Sequence, residues 1–157
     1  MEKHIASSEY EELKLFLSFY SRHFMSADKL PAELRPEARL EQLEKMSASR
    51  AAQGLRQAIN DIIESNRRLD QSEVKALDAR LRDNGIVTLS ELRRRFSSRY
   101  AKIMKKKSIS DETEYYLVAG IVNDGATDIT HQERDTLHRM LRDFEETKVK
   151  AGSRRKR

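Results

Sequence analysis

Cysteine is absent from the 157 residues, which excludes disulfides, thiol catalysis and thiolate-bound metals. Glycine (5) and proline (2) are scarce, which argues against a turn-rich β-protein. No run reaches the roughly 18 consecutive apolar residues that a membrane span needs. The most apolar stretch, from Leu13 to Phe24, is broken by Lys14, Ser18, Ser21, Arg22 and His23. The opening Met1-Glu2-Lys3-His4 lacks a basic region followed by an apolar core, so no signal peptide is expected and a cytoplasmic location is the reading. Catalytic fingerprints are missing too: there is no Gly-rich phosphate loop, no G-x-S-x-G elbow and no H-E-x-x-H. Binding rather than catalysis is expected, with no cofactor.

What is present is charge. Charged residues make up 36% of the chain, against roughly 25% in an ordinary domain. Leu, Ile, Val and Phe number 35, just above the share below which a charged chain stays disordered. A core therefore requires well-ordered amphipathic elements.

Apolar residues recur at helical spacing almost throughout, and helix-start signals sit where each run begins. The first helix is expected over 8–24, opened by Ser8 and Glu11 as a capping box, with Tyr10, Leu13, Leu17, Tyr20 and Phe24 on one face. Pro31 and Pro36 mark a connection, and Pro36 suits the first position of a second helix reaching Met46. Ser47 or Ser49 caps a third helix with Leu55, Ile59, Ile62 and Ile63 inward, unless the two are one long helix. Asp70 with Glu73 opens a fourth, stopped at Asn84-Gly85. Thr88 with Glu91 opens a fifth, carrying Leu89, Leu92, Phe96, Tyr100 and Ile103 to about Lys107. Ser110 or Ser108 caps a sixth with Leu117, Val118, Ile121 and Val122, ended by Asn123-Asp124-Gly125. Thr130 with Glu133 opens a seventh through Leu137, Met140, Leu141 and Phe144. The expectation is an all-α bundle or orthogonal array of six to seven helices, a single domain over 1–147 followed by a flexible basic tail over 148–157.

The net charge of +5 conceals a strong segregation. Residues 1–69 balance 11 basic against 11 acidic; 70–107 hold 11 basic and 5 acidic; 108–147 hold 3 and 10; 148–157 hold 6 basic and none acidic. On one continuous fifth helix, Arg95, Arg99, Lys102 and Lys106 form a stripe beside the apolar face, about 16 Å from end to end. Such a ladder suits two or three successive phosphates, and Arg154, Arg155, Lys156 and Arg157 add a mobile electrostatic arm. The first reading is a nucleic-acid-associated protein, RNA or DNA. Against it stands neutralisation of the stripe by the following acidic segment, through Asp111, Glu112, Glu114 or Asp143. The alternative is an adaptor, inhibitor or immunity-type protein that docks on another protein through opposite charge blocks. Self-association is a third reading; no membrane is involved in any of them.

Two smaller patterns complete the sequence reading. The fourth and fifth helices with their Asn84-Gly85 stop have the spacing of a helix-turn-helix, placing Ser90, Arg93 and Arg94 near the start of the second helix. The likeness is generic, and Leu81 stands where a tight crossing favours a small residue. His131, Asp135 and His138 share one face of the last helix at metal-ligand spacing. That face points away from the apolar stripe and no further ligand motif accompanies it, so it reads as a solvated surface.

Overall fold

The computed structural model describes residues 7–125, 127 and 129–155, with side chains as far as 152. Among these residues there are eight α-helices and no strand: α1 (Ser7–Phe24), α2 (Pro36–Met46), α3 (Ala48–Ser65), α4 (Gln71–Asp83), α5 (Leu89–Phe96), α6 (Ser98–Lys106), α7 (Glu112–Asn123) and α8 (His131–Arg155). Short 3-10 turns at Ala27–Lys29 and Ala32–Leu34 fill the proline-bearing connection. The all-α expectation holds, with one helix more than the upper count. No helix among the described residues is long and apolar enough to cross a membrane.

The chain forms two compact units: the described residues of Met1–Glu64 with Asn84–Val87, and those of Ser65–Asp83 with Thr88–Arg157. In the first, α1 buries Leu13, Phe16, Leu17 and Tyr20, α2 buries Leu40, and α3 buries Ala51, Leu55, Ile59, Ile62 and Ile63. Carboxylates on α2 clamp α1. Glu44 accepts from Tyr10 Oη (3.0 Å) and Lys14 Nζ (2.7 Å), and Glu37 accepts from Ser18 Oγ (2.7 Å) and Arg22 (3.4 Å). Burial alone would push the Glu37 carboxyl up, but the Ser18 and Arg22 donors outweigh it and hold it below the ordinary range. Helices α2 and α3 are separate because Ser47 leaves the helical region (φ −167°, ψ 147°) and its Oγ accepts from Arg50 N at 3.1 Å. Ser8 lies one residue inside α1, so it is not the helix-opening cap that the Ser8/Glu11 pattern suggests.

In the second unit α7 is the central helix, packed against α4, α5, α6 and α8. Leu117, Val118, Ala119, Gly120, Ile121 and Val122 are all buried, so this helix is enclosed on every side. The core joins Tyr100, Ile103, Leu117, Val118, Ile121, Val122, Leu137 and Met140. Gly120 permits the close approach of α4 and α5, since a Cβ there would stand 3.3 Å from Val74 Cγ1 and Ser90 Oγ. The expected caps form at Asp70, Thr88 and Thr130, which accept from Glu73 N, Glu91 N and Glu133 N at 2.8, 3.1 and 3.1 Å. Helix α7 is opened by Asp111, whose Oδ1 accepts from Glu114 N at 2.8 Å, and not by Ser108 or Ser110.

Two expectations differ at the ends of helices. The anticipated fifth helix divides at Ser97, where φ −71° and ψ 119° interrupt the spiral. Ser97 N closes α5 on Arg93 O (2.9 Å) and Ser97 Oγ accepts from Tyr100 N (3.2 Å), so one residue both ends α5 and caps α6. At the other end of the chain, the flexible tail expected over 148–157 is not seen. Helix α8 continues to Arg155, passing Thr147, whose hydroxyl donates back to Asp143 O at 2.8 Å. Lys156 and Arg157 lie outside the described residues.

Candidate nucleic-acid interface

The division at Ser97 separates the expected ladder. Arg95 sits on α5 and donates to Glu91 Oε1 at 2.9 Å, alongside Arg94, which grips both oxygens of the same carboxylate. Glu91 is buried, with 4% of its side chain exposed. Burial would push its carboxyl up, but Arg94 and Arg95 outweigh it and hold it below its ordinary range. Arg95 is thus committed to an internal carboxylate. Arg99, Lys102 and Lys106 remain together on α6, and their i, i+3 and i+7 spacing keeps them on one face. Lys106 donates to Glu114 (2.9 and 3.1 Å) and to Ser110 Oγ (2.6 Å), so the acidic segment neutralises this end of the stripe. Lys102, Lys105 and Lys107 are exposed, and no acidic residue occurs anywhere from Ser97 to Ser110.

The last helix brings a second basic segment to the same place. Arg134 near its start donates to Val122 O at 3.2 Å, whereas Glu145 accepts from Tyr115 Oη at 2.5 Å and Lys148 pairs with Glu112. Helix α8 therefore runs antiparallel to α7 and passes its first turn at Lys148. The Lys106–Glu114 and Lys148–Glu112 pairs place the end of α6 and the 148 region of α8 on either side of that turn. From 145 to 152 every α8 residue is exposed. The helix thus extends about 10 Å past α7, carrying Lys148, Lys150 and the backbone of Arg154 and Arg155.

Ring residues line this end. Tyr115 stacks at a tilt on Phe144 (centroids 5.4 Å apart) and meets Tyr116 edge-on (5.7 Å). All three are half-buried. The hydrogen bond to Glu145, reinforced by burial, pushes the Tyr115 phenol up to about 12, so it is uncharged at neutral pH.

Sequence reasoning missed Lys105, Lys107, Lys148 and Lys150 as members of this group. The run Lys105-Lys106-Lys107 was a visible signal; the approach of Lys148 to α7 had none, because it depends on packing between segments far apart in sequence. The helix-turn-helix reading is corrected by burial. Ser90 is enclosed, donating to Asp78 from both its hydroxyl (2.5 Å) and its backbone N (3.2 Å). Arg93 is 2% exposed and donates to Asn66 O at 2.8 Å. Its Nε has no partner among the described residues. Neither side chain is available to read a base edge. His131, Asp135 and His138 are exposed on α8, and no three His, Asp or Glu side chains among the described residues gather to hold a metal. Comparison with known protein families, with curated proteins and with solved structures finds no match to this chain.

Proposed function

We propose that this is a non-enzymatic, nucleic-acid-associated protein that contacts phosphates through the basic end formed by α6 and α8. One observation carries the reading: two basic segments 42 residues apart, at Lys106 and Lys148, flank the same turn of α7. Lys102, Lys105, Lys107 and Lys150 are the proposed phosphate contacts, and Arg99 strengthens the local field. Arg95 leaves the contact set because it serves Glu91. Binding of this kind is sequence-independent and falls with salt, by nearly one unit of log–log slope per phosphate neutralised.

The test is anisotropy of mixed-sequence DNA and RNA at about 50 and 200 mM salt, the range over which counterion release is large. The wild type binds at low salt, and replacing Lys102, Lys105, Lys107 and Lys150 with Ala lowers both the affinity and the salt slope. No binding at low salt, or unchanged binding by the fourfold variant, overturns the proposal. A second reading, docking on a partner protein, is favoured by the exposure of Met25, Leu30 and Leu34 in the first unit. It requires co-purification of one protein in fixed stoichiometry that resists nuclease treatment.

A further inference from the structure

We infer that the basic end of α6 and α8 takes a single-stranded polynucleotide, with bases stacked on the Tyr115, Tyr116 and Phe144 rings and phosphates on the flanking lysines. This rests on the nucleic-acid reading above and names its substrate class. In a duplex the base faces are already stacked on one another, so a protein ring has no face to meet. Single strands offer theirs, and grooves that bind them pair aromatic platforms with cations along the backbone path.

Both halves of that arrangement occur here within one helical turn. Phe144 and Lys148 are four apart on α8 and share a face, as do Glu112 and Tyr116 on α7. Four carboxylates around the rings are engaged, while Asp143 and Glu146 beside Phe144 stay exposed. Glu112 pairs with Lys148, Glu114 with Lys106, Glu145 accepts from Tyr115, and Asp111 caps the helix. The same bond to Glu145 fixes the Tyr115 ring in place. Lys105 and Lys107 on one side and Lys150 on the other remain as exposed cations to follow a backbone past the rings.

The experiment compares labelled single-stranded DNA, single-stranded RNA and duplex DNA of equal length, with the full chain and with Tyr116→Leu and Phe144→Leu, variants that keep apolar bulk and lose the π-face. Far-UV circular dichroism confirms that each variant is folded. Single strands bind more tightly than the duplex, and Tyr116→Leu weakens single-strand binding about fivefold or more without lowering the salt slope. If duplex binds as well as single strand, or if a folded Tyr116→Leu binds like wild type, the stacking inference is overturned while the nucleic-acid reading stands. If no polynucleotide binds, both fall together.

Discussion

Asp124 offers the sharpest test of how the second unit is held together. It lies just after α7, with 1% of its side chain exposed, and its two oxygens accept from Arg82 of α4 (2.5 Å) and from Thr88 at the start of α5 (2.5 Å). One carboxylate therefore ties the end of the central helix to two neighbours. In Asp124→Ala the buried Thr88 hydroxyl loses its acceptor, which costs about 1–3 kcal/mol. Arg82, with 45% of its side chain exposed, turns to water, so its share is at most about 1 kcal/mol. The expected loss is about 1–4 kcal/mol, or a fall in Tm of roughly 2–16 °C for a chain of this size. Urea unfolding followed by circular dichroism measures it. Thr88→Val supplies the control: because the two residues share one hydrogen bond, the double variant loses less than the sum of the single ones by at least about 0.5 kcal/mol. A loss below about 0.5 kcal/mol in Asp124→Ala, or strict additivity with Thr88→Val, would refute the reasoning.

Two further outcomes follow from groups in the same unit. Ser97→Ala removes the cap on Tyr100 N and lowers stability by about 1 kcal/mol in urea titration, whereas Ser98→Ala, one residue further on, leaves it nearly unchanged. Burial, aided by the nearby Asp124 charge, pushes the Asp78 carboxyl above its ordinary range despite the Ser90 donors. A raised folded value means that the folded state holds the proton more tightly. The corresponding stability is present in full below the unfolded value of about 3.9 and is lost as pH rises through the folded value. Subtracting the Asp78→Asn profile from that of wild type therefore gives a difference that declines across this interval; parallel profiles would show that Asp78 titrates normally.

Local signals served the sequence reading well where the deciding contact is local. The Asp70, Thr88 and Thr130 caps bond a backbone N–H three residues away, and the apolar stripe of Leu117, Val118, Ile121 and Val122 reports burial directly. Ser97 escaped because Leu92, Phe96, Tyr100 and Ile103 keep a helix-compatible spacing across the break, so periodicity continues where hydrogen bonding does not. Asp111 was legible in principle, since Glu114 follows it at capping-box spacing, but the neighbouring serines offered a competing start. Arg93 was illegible: a guanidinium reads as surface, and only the carbonyl of Asn66, 27 residues away, reveals its burial. For the candidate site, the spacing of Lys102 and Lys106 put them on one helix face, and both lie on α6. That Lys106 and Lys148 flank the same turn of α7 depends on the antiparallel course of α7 and α8, which no spacing encodes.

The continuation of α8 to Arg155 alters what binding by this end of the chain would cost. A loose tail must give up about 1–2 kcal/mol of backbone entropy for each residue it fixes on a ligand. Residues 148–155 already follow a helix, so that loss is incurred when the protein folds rather than when it associates. The backbone that carries Lys148 and Lys150 advances about 1.5 Å per residue along one axis, a ruler rather than a cloud.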